Sequence, residues 1–361
     1  MNKKTKKILI ISSIATVSLI TLYFGGTAIA ARIITDVLFD VRGSTEETVN
    51  TDNYFRLVKT RRDFPSLNER KECTFQCSGE TLYGYLYEVP TPKGIIITAH
   101  GVNTFADSNH ALYQDYFVNK GWDVFAIDMM GCGKSTGKGM KTLFHSRYCV
   151  REAVKYIQNL DETKDLPICL FGHSWGGYGV LSASNDVVGV KAVVSMSAFN
   201  QPAQMMYGFA DYYLHGALNF TKPALDLSLR LYYGKEPFFN ASTAIKNNPE
   251  INYYVIHGKL DDIVPLKTYS VYSKVVDKDF ENVQTLLLEN VAHTQPWRSQ
   301  ECMDYFEDVS ARYNALLKEY HNNIPVEVMD EFVTTFDIEK TSVINTHLFD
   351  SIEEFYTTSV N

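Results

Sequence analysis

Ser174 lies at the centre of Gly-His-Ser-Trp-Gly-Gly, residues 172–177, and that spacing can make a serine into a nucleophile. An apolar run, Ile-Cys-Leu-Phe at 168–171, precedes it, and a helix-like stretch over 175–185 follows. Gly-x-Ser-x-Gly between a strand and a helix predicts a sharp turn with the serine projecting at the helix N-terminus. Glycine is needed where a side chain would collide with neighbouring backbone. A serine hydroxyl attacks only when a base takes its proton, and a histidine base needs a carboxylate to hold its tautomer. In this setting the acid and then the histidine follow the serine along the chain. Val-Ile-His-Gly-Lys-Leu-Asp-Asp-Ile-Val-Pro, 255–265, offers Asp261 and Asp262 after a strand end. His293 follows the last apolar run, in Leu-Leu-Leu-Glu-Asn-Val-Ala-His at 286–293.

A second stretch, Asp-Met-Met-Gly-Cys-Gly-Lys-Ser-Thr at 128–136, ends in the Gly-Lys-Ser of a phosphate-binding loop. Such a loop needs a further glycine five residues before the glycine of its Gly-Lys, so that backbone amides can wrap a phosphate. That position is Asp128, whose carboxylate repels phosphate, so no nucleotide is expected.

The elements that must position these residues are legible as short apolar runs. Residues 94–101, 123–128, 168–174, 190–197, 252–258 and 283–289 read as strands, the first a continuous apolar run suited to burial on both faces. Helix-like stretches lie at 109–120, 146–160, 175–185, 266–277 and 299–320. Strands alternating with helices predict a mostly parallel sheet covered on both sides. Two runs flanking Ser78-Gly79-Glu80 predict a hairpin adding an antiparallel strand at one edge. Residues 199–250, rich in Tyr, Phe, Met and Leu, exceed what one crossover helix needs and read as an inserted lid.

The chain has 361 residues, 45% of them apolar, and a net charge of −8. A core of that size excludes global disorder. Four lysines and no acid stand in residues 1–31, leaving 30 basic and 42 acidic residues in the rest, a net of −12. An acidic body argues against a nucleic-acid partner. Between Lys7 and Arg32 lie 24 uncharged residues. As a helix these span about 36 Å, enough to cross a bilayer, with the lysines expected on the cytoplasmic side and the body outside. Ala28-Ile29-Ala30 also fits a signal-peptide cleavage site, with secretion after Ala30 as the alternative, but the apolar run is longer than a usual signal core. The six cysteines show no C-x-x-C metal spacing, and buried free thiols are expected.

These motifs together resemble the α/β-hydrolase superfamily, in particular its lidded lipase, esterase and serine aminopeptidase-like members. The resemblance rests on His100-Gly101, the loop from Asp128 to Ser135, the Gly172–Gly176 elbow, Gly258 to Pro265, and His293, and covers about residues 72–320. It implies an eight-stranded, mostly parallel sheet flanked by helices with a helical lid at about 199–250, in a domain over 71–320. A membrane segment at 1–31, a lead-in at 32–70 and an acidic C-terminal extension at 321–361 surround that domain. It further implies Ser174 as nucleophile, His293 as base and Asp261 as the acid, with the backbone N–H groups of Val102 and Trp175 stabilising the oxyanion. His100, His173 and His257 are expected to be structural. Cofactor and metal are not required. The apolar lid favours a small acyl ester as substrate. A peptide-like substrate is the alternative, with Asp211, Asp226 or Glu236 available to hold a free amine. A non-catalytic binding protein would be expected to break the triad, which is whole here.

Overall fold

The computed structural model describes residues 3–45, 47–48, 52–108, 110–214, 218–294 and 296–361. Its frame is one eight-stranded sheet: β1 (Lys71–Cys77), β2 (Glu80–Tyr87), β3 (Ile95–Ala99), β4 (Asp123–Asp128), β5 (Ile168–His173), β6 (Val190–Met196), β7 (Asn252–Gly258) and β8 (Val283–Leu288). The spatial order is β1-β2-β4-β3-β5-β6-β7-β8, with parallel pairing from β4 through to β8. β2 pairs antiparallel with both β1 and β4. The β1–β2 hairpin turns through Ser78 (φ 51°) and Gly79 (φ 83°), the positive-φ pair that matches the twist of two strands joined by two residues. β1 buries every second residue, as an edge strand does, whereas β3, β4 and β5 are buried throughout.

Each face of the sheet has its own core. On one side α3 (His145–Gln158), α4 (Trp175–Ala183) and α7 (Ala241–Asn247) cover Ile95, Ile97, Leu170 and Val193. On the other, α2 (Ala111–Asn119) and α11 (Thr346–Val360) cover Ile96, Val124, Phe171 and Val194. The successive isoleucines of β3 therefore serve opposite cores, as the two-residue period of a strand requires. α11 carries Phe349, Ile352 and Tyr356 into the sheet, and the Tyr356 hydroxyl donates to the Leu170 carbonyl at 2.7 Å. The end of the expected acidic extension is thus a core helix of the domain. Its apolar face meets partners nearly 200 residues upstream, Leu170 and Phe171 among them.

The lead-in packs rather than hangs free. Leu57 and Val58 share a small core with Val309 of α9 (Gln300–Glu319) and with Met329 and Phe332 of α10 (Val326–Val333). The helix expected over 266–277 is one turn only, α8 (Tyr272–Val275); the residues before it form turns, and Ser270 makes an isolated bridge with Phe199. All six cysteines are free and buried.

Two helices, α5 (Pro202–Leu214) and α6 (Leu218–Tyr233), stand between β6 and α7, within the segment read as a lid. Ala203, Tyr207, Leu225 and Leu229 give them a small core of their own. The N-terminal helix α1 runs from Lys3 to Phe39, past the boundary expected at residue 31. Its window Ser12–Ile29 is long and apolar enough to cross a membrane and is unburied by the rest of the chain. Its C-terminal end lies against α6, where Arg32 donates to the Tyr233 hydroxyl at 2.8 Å.

Candidate active site

Ser174 sits between β5 and α4 at φ 55°, ψ −114°, a backbone conformation costly for any residue but glycine. Two glycines make room for the turn. A Cβ on Gly172 would lie 2.4 Å from the Gly176 carbonyl oxygen, and one on Gly176 would lie 2.1 Å from that of Ala99. The Ser174 amide donates to the Met196 carbonyl at 2.8 Å, so β6 holds the turn from the side.

The structure brings Ser174, His293 and Asp261 together from three separate loops. The Ser174 hydroxyl lies 2.8 Å from His293 Nε2, and His293 Nδ1 lies 2.8 Å from Asp261 Oδ2. The other oxygen of Asp261 accepts the amides of Ile263 (3.1 Å) and Val264 (2.7 Å). Burial works to raise the Asp261 pKa, but the hydrogen bond and charge of His293, with the Val264 amide, outweigh it and hold the group below its ordinary value. Asp262, one residue on, is exposed. The Trp175 amide opens α4, where no carbonyl one turn earlier in the helix can take it. Val102 belongs to the loop after β3 and lines the same cavity as Ser174.

Three buried histidines brace this arrangement. His100 accepts the Met129 amide on Nε2 at 2.9 Å, which leaves Nδ1–H to donate to the Gly101 carbonyl at 2.7 Å. The loop after β3 is thereby tied to the loop after β4. His173 Nε2 donates to the His293 carbonyl at 3.0 Å, and His257 Nε2 to the Val264 carbonyl at 3.0 Å. Burial lowers the pKa of His100 to about 4 and that of His173 to about 3, so both are neutral hydrogen-bonding struts near neutral pH.

The loop that resembled a phosphate cradle has another job for its aspartate. Asp128 accepts the amides of Ala106 and Lys134, each at 2.9 Å, and the Tyr85 hydroxyl at 2.8 Å. A Cβ on Gly133 would lie 2.0 Å from that carboxylate. The carboxylate fills the hollow of the loop and organises it from within.

A cavity of about 460 Å³ opens over Ser174, within the usual range for a small-molecule site. Phe39, Met140, Leu143, Phe199 and Met205 form apolar wall, and Thr104, His110, His173 and Trp297 line it elsewhere. His110 matches no sequence motif, and a surface or packing role is its default expectation. It is buried, its pKa driven well down first by burial and then by His100 and His173, and it bonds Thr104 Oγ1 at 2.8 Å and the Tyr113 hydroxyl at 2.9 Å. No motif marks it, because only the packing of α2 behind the loop after β3 brings it there. Among the described residues lining this cavity none is an acid. Glu236 faces Arg147 instead, and Asp226 lies on α6 away from the cavity lining. The side chain of Asp211 lies outside the described residues. No group of metal-ligating side chains occurs among the described residues.

Residues 90–233 match the sequence family described as "Serine aminopeptidase, S33". No curated protein matches the chain. An acylaminoacyl peptidase bound to a chloromethyl ketone aligns over 71% of this chain and 42% of its own, at 17% identity and a TM-score of 0.50. The esterase of Pyrococcus furiosus aligns over 70% of this chain and 91% of its own, at 17% identity and a TM-score of 0.48. Est1E of Butyrivibrio proteoclasticus, bound to ferulic acid, aligns over 70% and 100%, at 20% identity and a TM-score of 0.47. The sheet order, the turn at Ser174 and the likeness to the peptidase agree: the chain has the α/β-hydrolase fold.

Proposed function

We propose that this protein is a serine hydrolase that cleaves a carboxylic ester through an acyl-enzyme. Ser174 attacks the ester carbonyl carbon while its proton passes to His293 Nε2, and Asp261 holds the histidine with Nδ1 protonated. The oxyanion meets the amides of Val102 and Trp175, where charge develops in the transition state. Collapse expels the alcohol, which takes the proton from His293. Water, activated by the same histidine, then releases the acid. The hydrogen-bonded series Ser174–His293–Asp261 supports this mechanism.

The observation that carries the ester reading is the acid-free, largely apolar lining of the cavity. A site for a peptide's free amine needs a buried carboxylate to pair with it, and the lining supplies none among the described residues. Helix α5, which contributes Met205 to the cavity lining, serves in this reading as its lid together with α6, which packs on it. The expected result is hydrolysis of p-nitrophenyl butyrate with kcat/KM at least about a hundredfold above that of any aminoacyl p-nitroanilide, since a site lacking the partner for a charged group discriminates on that order. Anilide turnover equal to ester turnover would replace the ester reading with the peptidase one.

We further propose that α1 anchors the enzyme with its body outside the cytoplasm, on the strength of its exposed apolar window and the four lysines before it. The activity should pellet with membranes, stay there in high salt and enter solution in detergent. A mature chain starting at Ala31 would establish secretion instead.

A further inference from the structure

α1 does not stop where its apolar window ends. It continues about ten residues, or about 15 Å, from Ile29 to Phe39. Phe39 is buried, packs with the main core and lines the cavity over Ser174. The approach is close: a Cβ on Gly139 would lie 2.3 Å from the Phe39 carbonyl oxygen. The residues that follow grip both loops around the site. Arg42 donates to the carbonyls of Gly133 (2.8 Å), Ser135 (3.1 Å) and Gly137 (3.2 Å) in the loop after β4. Gly43 N–H donates to the Gly131 carbonyl and Gly133 N–H to the Ser44 carbonyl, both at 2.9 Å. The Ser44 hydroxyl donates at 2.7 Å to the carbonyl of Asn103. Asn103 is itself held at φ 59° and directly follows Val102.

We propose that the end of the N-terminal helix and the arm Arg42–Ser44 are working parts of the active site, with Phe39 setting how long an acyl chain the cavity accepts and Ser44 positioning the loop that carries the Val102 amide. The proposal rests on the ester-hydrolase reading. The physical argument is geometric. Phe39 stands beside Met140, Leu143, Phe199 and Met205 on the apolar wall, so its ring occupies volume an acyl chain would otherwise fill. Ser44 reaches the loop through a single hydrogen bond at its tip. Cleavage after Ala30 would leave both residues in place, so their role is separate from membrane attachment.

The test uses the full chain in detergent and the p-nitrophenyl acetate, butyrate and octanoate series. Phe39→Ala should raise the octanoate-to-acetate ratio of kcat/KM about tenfold, and Phe39→Trp should lower it by a similar factor, the discrimination expected from adding or removing a few carbon atoms in an apolar pocket. Phe39→Leu, which keeps most of the volume, should fall between them. Ser44→Ala should lower kcat roughly fivefold with KM changed less than about twofold, the size of one lost hydrogen bond, and Ser44→Thr should restore it. A merely structural Phe39 would shift melting temperature without changing the chain-length ratio. If both Phe39→Trp and Phe39→Leu fold and keep the wild-type ratio within about twofold, the specificity role is wrong whether or not Phe39→Ala folds. Wild type that cleaves none of the esters and takes no fluorophosphonate would overturn this proposal together with the ester reading. Wild type that cleaves them with a profile indifferent to residue 39 overturns this proposal alone.

Discussion

Ser174→Ala is expected to abolish labelling by a fluorophosphonate and to lower kcat by a factor on the order of 10⁶, as loss of the nucleophile does in other serine hydrolases. The change is small in structural terms. Alanine keeps the Cβ that already stands at φ 55°, so the turn is no more strained than before. What disappears is the hydroxyl 2.8 Å from His293 Nε2, the atom that would form the covalent bond to phosphorus or to carbonyl carbon. His293→Ala should cost about as much, and the double variant little more, because the two residues act as one device. Mass mapping should place the wild-type adduct on Ser174. Undiminished labelling of Ser174→Ala would move the nucleophile elsewhere and remove the basis of the proposed mechanism.

The second large effect separates two adjacent aspartates. Asp261→Asn should lose about three to four orders of magnitude in kcat with little change in KM, and Asp262→Asn less than about tenfold. The carboxylate of Asp261 uses one oxygen for the Ile263 and Val264 amides and the other for His293 Nδ1. An asparagine has a single acceptor. If that acceptor keeps the two amides, its NH₂ faces His293 and drives the ring proton to Nε2, opposite Ser174. The histidine then cannot take the serine proton, and the imidazolium loses its counter-charge; the corresponding change in the best-studied protease triad costs about 10⁴. Asp262 is exposed and has no such partner to disturb. Circular dichroism and melting temperature should show both variants folded before the rates are compared. Greater damage in Asp262→Asn would mean that the acid has been misassigned.

Much of this was legible in the residues themselves because local patterning reports burial. Mostly apolar runs without polar alternation read correctly as β3, β4 and β5, since these strands are buried on both faces. Ser78-Gly79 read correctly as a hairpin because few residue pairs accept two positive φ angles in succession. Gly172 and Gly176 marked the turn at Ser174 for the steric reason seen in their backbone contacts. The pattern over 266–277 yielded only the single turn Tyr272–Val275, and the bridge from Ser270 to Phe199, some 70 residues upstream, is a contact that local pattern does not encode.

The sequence by itself determined the alternation of strands and helices, the elbow and the order in which serine, aspartate and histidine follow one another, because each is written in contiguous residues whose sterics or periodicity act locally. The resemblance over Gly258 to Pro265 favoured Asp261 over its neighbour Asp262, and Asp261 is the one that lies 2.8 Å from His293 Nδ1. It gave no hint that Phe39, His110 and Trp297 line one cavity, or which face of the sheet α11 covers. Those were decided by tertiary structure alone. Contacts between residues a hundred or more apart depend on which faces meet when the sheet is covered, and no local period encodes that choice.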